Sequence, residues 1–408
     1  MDIGLITIMS ALHNMTMIEN SHYELINSLI KYFSVRFITP SKAKYVDMPM
    51  IFIASGGTEE MFMNIYDELP KPIILLTDGL HNSLAASMEI QSWVKELGDI
   101  SEILHGSPEH LKTRIESLYK IINTAQILKK STIGAIGFPS SWLIASDVDY
   151  TKVKSKWGVT YKNIELSSLY KLISDAPIDK AEEVAKKFIK NSSGLKEANN
   201  DDVIEASKVY LCLKELCREN KLDAVTLRCF DLLDRHKTTG CLALSLLNDE
   251  NLICGCEGDA QSIFSMYLAK LLTEEISFMA NPALINADTN EVILAHCTIA
   301  TSITEKYIIR SHFESRIGVG IQGLLSNGPI TLFKCGGSDL SKYFISKGEI
   351  IDNLDNPNMC RTQLKINLEE NVDYFFNNPI ANHHLIIRGD YTDILIEFMD
   401  KMGCTRVR

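Results

Sequence analysis

Five side chains carry most of the chemistry this sequence could do. Glu257 and Asp259 stand two apart in Cys256-Glu257-Gly258-Asp259. The apolar run before them, residues 252–256, reads as the end of a buried strand, and residues 263–272 beyond them read as a helix. Ionised carboxylates are costly to bury unless something pairs with them. An acid pair at the mouth of a strand therefore asks for a cation, a proton or a polar ligand. A salt bridge to some Arg or Lys is the plain alternative. His296, His383 and His384 are the other candidate ligands. His296 follows an apolar strand, where a satisfied core histidine is the ordinary case. His383 and His384 follow the polar stretch 377–382, and strand alternation sends them to opposite faces, so at most one serves a given site. Carboxylate and imidazole donors without a thiolate set suit Mn2+ or Mg2+ better than zinc.

The elements that must position these groups fall into three textures. Residues 3–9, 50–54 and 73–76 read as strands, and 21–33, the stretch from Glu59, and 83–97 as helices. This β-α-β-α rhythm predicts a parallel sheet with helices on both faces. A second unit begins near Thr132, with a strand at 133–136 and the loop Gly137-Phe138-Pro139-Ser140-Ser141. Asp179-Lys180-Ala181-Glu182 reads as a capping box for a helix through Ile189, and Asn199-Asn200-Asp201-Asp202 starts another helix. Strands at 224–228 and 252–256 enclose a helix at 240–247. Beyond Ile285 the strands become short: 292–297, 317–321, 330–333, 364–367 and 384–388, before a final helix after Gly389-Asp390. The expected class is α/β. Two α/β units with Rossmann-like parallel sheets span 1–130 and 131–284, the second carrying Glu257. A β-rich, barrel-like C-terminal domain spans 285–408 and carries His383.

Three strand-end loops stand out: Ser55-Gly56-Gly57-Thr58-Glu59, His81-Asn82-Ser83 and Pro139-Ser140-Ser141-Trp142. Ligands of open α/β sheets sit at such ends, where helix N-termini present free amides. Ordinary turn and cap chemistry uses the same residues. None of the loops fits GxxxxGK[ST] or GxGxxG, so no nucleotide cofactor is expected.

The bulk numbers exclude other classes. A chain of 408 residues, 46% hydrophobic and 23% charged, makes two or three globular domains. A net charge of −11 argues against a nucleic-acid surface. Residues 1–8 offer no basic n-region or cleavage site, and no apolar run approaches the ~20 residues of a membrane span. A cytoplasmic protein without a membrane partner is expected. Most of the ten cysteines sit in apolar runs and read as buried reduced thiols. A redox or metal pair of Cys254 and Cys256 is the weaker reading.

These residues in this order resemble the L-fucose/L-arabinose isomerase superfamily, and closely its shorter fucose-isomerase-like proteins. The resemblance covers nearly the whole chain. It includes Ser55-Gly56-Gly57-Thr58-Glu59, Asn82-Ser83-Leu84-Ala85-Ala86, residues 134–143, Arg228-Cys229-Phe230-Asp231 and Cys241-Leu242-Ala243-Leu244. It continues through Cys256-Glu257-Gly258-Asp259, Ala295-His296-Cys297, His312-Phe313-Glu314-Ser315, Cys360-Arg361-Thr362-Gln363, Asn382-His383 and Gly389-Asp390-Tyr391.

The resemblance implies a Mn2+-dependent (or other divalent-cation-dependent) aldose–ketose isomerase acting on a fucose- or arabinose-like or modified 6-deoxy sugar. In that chemistry a carboxylate moves a proton between C1 and C2 through an enediol while the cation draws charge from the sugar oxygens. It implies the metal ligands Glu257 and His383, with Asn281 where the sugar isomerases carry an aspartate. An amide can ligate through its oxygen but cannot act as a base. Asp259 or His296 could replace the missing ligand, the metal could bind weakly, or the chemistry could differ. The expected catalytic set is Glu257, Asp259 and Asn281. The expected sugar contacts are Gly57, Asn82, Ser83, Ser140, Trp142, His296 and Asn382. The resemblance also implies homo-oligomers, often hexamers, in which one subunit's first domain closes a neighbour's site. The rival reading is a sugar-binding or regulatory protein that kept the fold and lost the reaction.

Overall fold

Alternation of period two builds the first sheet. In a computed structural model that describes residues 1–11, 16 and 20–408, the chain divides into two units, 1–123 and 124–408. The first unit holds β1 (Asp2–Ile8), β2 (Ser34–Phe37), β3 (Met48–Ile53), β4 (Ile73–Leu76) and β5 (Ser101–Leu104). They form a parallel sheet in the order β2-β1-β3-β4-β5. Met48, Met50 and Phe52 face one side and pack with Leu25, Leu29, Leu111 and Ile115. Ile51 and Ile53 face the other side and pack with Phe62, Ala86, Ile90 and Val94. Each such fully buried side chain contributes about 1.5–3 kcal/mol.

The second unit joins a sheet to a barrel. β6 (Thr132–Ile136), β7 (Thr160–Ile164), β8 (Ala224–Leu227) and β9 (Ile253–Cys256) form a parallel sheet in the order β7-β6-β8-β9. The barrel strands are β10 (Phe278–Asn286), β11 (Glu291–His296), β14 (Gly328–Gly336), β15 (Lys342–Asn353), β16 (Thr362–Leu368) and β17 (His384–Arg388). They pair antiparallel in the order β14-β17-β10-β11-β16-β15, and β14 with β15 closes the ring. Closure leaves none of these six as an unpaired edge. β12 (Lys306–Arg310) and β13 (Gly320–Leu324) make a separate hairpin, and the short β18 (Thr405–Arg406) adds to β15.

The helix Ala260–Thr273 links the two halves of this unit. It follows β9 directly and packs against β9, β14 and β17. Twelve of its fourteen residues are buried, including Ser262 and Ser265, as expected of a helix covered all round. Its N-terminus and the start of β17 thereby come together.

One local expectation is overturned. Asp179 forms no cap: the helix there is Ile178–Asn191, with Pro177 at its N-cap and no side-chain cap bond. The capping box lies at the next helix, where Asn199 Oδ1 accepts from the Asp202 amide at 3.1 Å and Asp202 Oδ2 accepts from the Asn199 amide at 2.9 Å. The hydrophobic Ile178 extends the helix one residue upstream of Asp179, so that carboxylate stands inside the first turn. Asn199→Ala should therefore cost about 1 kcal/mol in urea denaturation, and Asp179→Ala less than about 0.5 kcal/mol.

Candidate metal centre

The site begins at the end of β9, where the chain turns sharply. Glu257 has φ +61° and Gly258 φ +72°. A side chain at Gly258 would stand 2.8 Å from the Phe138 carbonyl oxygen and 2.9 Å from Pro139 Cα, so only glycine fits. Asp259 then caps the helix Ala260–Thr273, its Oδ1 accepting from the Ser262 amide at 2.7 Å. The turn aims Glu257 at the barrel, where two histidines meet it. His296 ends β11, and His383 immediately precedes β17.

Glu257 Oε1 lies 3.5 Å from His296 Nε2 and 3.6 Å from His383 Nε2. Each of the three residues can present one donor atom within 4.8 Å of the others, and all three are buried. His383 Nε2 is buried without a hydrogen-bond partner. An imidazole nitrogen without a hydrogen-bond partner, facing a carboxylate, has the donor chemistry of a cation ligand. Donor atoms this close to one another could share one cation. This buried Glu/His/His group can therefore bind a divalent metal ion.

A second carboxylate supports the first. Asp259 is fully buried, and its Oδ2 lies 2.9 Å from His383 Nδ1 and accepts from Ser262 Oγ at 2.7 Å. Lys334 of β14, also fully buried, donates to Ser262 Oγ at 2.7 Å and lies 3.6 Å from Asp259 Oδ2. Burial pushes the Asp259 carboxyl up, but Lys334 and His383 outweigh it and hold it down at about 2. Burial likewise opposes ionisation of Glu257, and His296 and His383 overcome it, keeping Glu257 well below the usual carboxylate range. Burial lowers His383, yet Asp259 and Glu257 raise it above its ordinary value. Asp259 thus fixes the orientation of His383, the arrangement of a carboxylate behind a metal-binding histidine.

The other expected residues gather in two places. Asn281 lies on β10 opposite Ala295, the neighbour of His296, and its Oδ1 accepts from Asn382 Nδ2 at 3.0 Å. His296, rather than Asp259, joins Glu257 and His383 in the group of His, Cys, Asp and Glu side chains that could hold an ion. Trp142 Nε1 donates to Glu257 Oε2 at 2.7 Å, and the Ser140 amide donates to the Glu257 carbonyl at 2.9 Å. Ser140 Oγ and Asn382 Oδ1 are buried without partners. Gly57, Asn82 and Ser83 belong to the first unit, at the ends of β3 and β4. There the Gly56 amide donates to the His81 carbonyl at 2.8 Å, and Ser83 Oγ accepts from Thr77 at 2.7 Å. His384 faces away from His383, its Nε2 2.9 Å from the Tyr374 hydroxyl.

Sequence reasoning passes over Lys334, and it quotes Phe230 and His312 within the resembling motifs without giving them a role in the site. Lys334 had a signal: a lone lysine inside the apolar run Leu332-Phe333-Lys334-Cys335. The ring of Phe230 packs edge-on against Trp142 at 4.7 Å and against His312 at 5.3 Å, giving the site an aromatic wall. The ten cysteines are all free, and Cys256 lies beside Cys229, their sulfurs 3.0 Å apart. Among the described residues no helix is long and apolar enough to cross a membrane.

Parallel α/β sheets, a closed antiparallel barrel and a buried Glu/His/His group that could hold a divalent cation are the features that define this protein. The chain is 22% identical over 329 residues to the sulfoquinovose isomerase of Alkalicoccus urumqiensis, covering 76% of this chain and 72% of that protein. No protein-family model matches the chain.

Two outcomes follow from these charges. The raised His383 value means that its proton adds stability to the metal-free protein below the unfolded value near 6.5, and that this stability is lost as pH rises through the folded value. A cation competes with that proton, so a fixed concentration of Mn2+ should raise the melting temperature more at pH 8 than at pH 6. Equal shifts would exclude His383 as a ligand. Lys334→Met strands a buried Asp259 charge and should cost about 3–5 kcal/mol in chemical denaturation, while adding Asp259→Asn should recover part of the loss.

Proposed function

We propose that this protein is a divalent-metal-dependent aldose–ketose isomerase with Glu257 as its proton carrier. The observation that carries the reading is a water-poor carboxylate held ionised beside two imidazoles, each with a buried nitrogen that has no hydrogen-bond partner. The likeness to a sulfoquinovose isomerase over three-quarters of the chain supports an isomerase of sugars. When bound, the cation would supply Lewis acidity, making the hydrogen next to the sugar carbonyl easier to remove.

The residues do the rest. Glu257, His296 and His383 would hold the cation, and Asp259 with Lys334 keeps His383 oriented. Glu257 takes the proton from C2 of the open-chain aldose. The C–H electron pair becomes the C1–C2 double bond, and the carbonyl pair moves onto the C1 oxygen, which gains a proton from the C2 hydroxyl. Return of the carried proton to C1 completes the ketose, so no outside oxidant or reductant is needed. Ser140 Oγ and Asn382 Oδ1, both without partners, are placed to meet sugar hydroxyls. Trp142, Phe230 and His312 give an apolar wall for the sugar's C–H face.

The substrate class we assign is a 6-deoxy hexose modified at C6 or a fucose- or arabinose-like sugar. Sulfoquinovose, which carries a sulfonate on C6, is the first to try. Mn2+ is the proposed cation. The reading brings with it the fucose-isomerase-like fold family, a division at 1–130, 131–284 and 285–408, and a cytoplasmic homo-oligomer of hexamer type. Phe138 and Ile144, exposed on one loop, support such association.

The test is solvent-deuterium incorporation into candidate aldoses by wild type and Glu257→Gln. Loss of about 10²–10⁴-fold in exchange, with folding intact, is expected. Unchanged exchange in Glu257→Gln would remove its role. Tight, chelator-insensitive sugar binding without any exchange would favour a non-catalytic sugar-binding protein.

A further inference from the structure

The two oxygens of Glu257 stand in different surroundings. Oε1 faces the imidazole nitrogens of His296 and His383, at 3.5 and 3.6 Å. Oε2 accepts the indole N–H of Trp142 at 2.7 Å. A carboxylate with both oxygens free can grip a cation with two atoms, whereas a hydrogen bond from a fixed donor withdraws one of them. The same bond occupies the oxygen that a C–H proton would have to reach.

The loop that carries Trp142 is tied to the Glu257 turn two residues earlier, at Ser140, while the Trp142 ring is half exposed. The Ser140 amide donates to the Glu257 carbonyl, and Gly258 leaves room for Phe138 and Pro139 to lie against the turn. Loop and carboxylate therefore stay together as segments, and only side-chain rotation can separate indole from Oε2. The Trp142 residue is 51% exposed, with the edge of Phe230 as its ring neighbour. Rotation moves a half-solvated ring, and its N–H finds water when it leaves.

We propose that Trp142 is a positioning residue that divides the work of Glu257: its indole N–H holds Oε2 so that the carboxylate meets the cation through Oε1 alone, and its displacement by an entering sugar frees Oε2 for the proton. This rests on the metal-dependent reading above. It makes the ring a gate on the base: until a sugar displaces the ring, Oε2 shares its charge with the indole N–H and is the weaker proton acceptor.

The experiment is a Co2+ titration of the full-length protein, followed by visible absorption, calorimetry and tryptophan emission, in wild type, Trp142→Phe and Trp142→Ala. Trp142→Phe keeps a ring and removes the N–H. In that variant Co2+ should bind more tightly by about threefold or more, because the carboxylate no longer shares its charge with a donor. The Co2+ bands should weaken as a second carboxylate oxygen joins and the coordination number rises. Trp142→Ala should match Trp142→Phe, which separates loss of the N–H from loss of packing. Co2+ should change the tryptophan emission of wild type and not of either variant. An unchanged spectrum and affinity in Trp142→Phe, with Co2+ bound by wild type, would overturn this inference and leave the metal centre standing. Failure of wild type to take up Co2+ would overturn both.

Discussion

The ionised side chain of Asp259 has no access to water, and the second unit is organised around that constraint. A buried charge survives only where several donors converge on it. Here they come from three elements: Ser262 from the helix Ala260–Thr273, Lys334 from β14 and His383 from the segment entering β17. One carboxylate thereby ties the parallel sheet to the barrel. Only a tight turn after β9 brings the cap of that helix so close to the barrel wall. The left-handed conformation of Glu257 and Gly258 is the local form of that turn.

The same convergence sorts the charges of the site. Lys334 stands against Asp259, so the positive charge near that carboxylate does not have to come from His383. His383 can donate from Nδ1 to Asp259 and turn Nε2 toward Glu257 with its lone pair. That tautomer follows from the hydrogen bond, as it does for metal-binding histidines in general. Glu257 is then a buried anion between two imidazoles with no fixed cation of its own. In electrostatic terms the arrangement is complete when a divalent ion sits among the three.

How much of this the sequence reveals depends on range. The parallel units are legible because residues 50–54 and 73–76 are apolar runs followed by amphipathic helices, a strictly local signal. β10 and β15 were not read as strands. Asn281-Pro282 and Lys347-Gly348-Glu349 look like turns, and shifts of register near Pro282 and Ile350 let the strands absorb them. Glu257 and His383 are visible through their residue types and flanks. The bond from Trp142 to Glu257 spans 115 positions and that from Lys334 to Ser262 spans 72, and no local pattern encodes either. Asp179 and Asn199 show the limit from the other side. Both stand in sequences suited to a capping box, and the start of the helix decides which one caps.

The strain at Glu257 argues that its position matters more than the comfort of its backbone. A glutamate with φ +61° costs of the order of 1–3 kcal/mol and persists only where its surroundings over-determine it. Three backbone bonds do so: the Ser140 amide to the Glu257 carbonyl, the Gly258 amide to the Leu227 carbonyl and the Asp259 amide to the Cys256 carbonyl. They come from the β6 loop, the end of β8 and β9 itself. A glycine at 257 would relieve the strain and leave all three bonds in place, so packing alone does not explain a glutamate there. What only the glutamate supplies is a carboxylate that reaches both imidazoles with one oxygen and the indole with the other. Three backbone bonds fix the main chain that carries the carboxylate, and the half-exposed ring of Trp142 is the neighbour that least backbone holds.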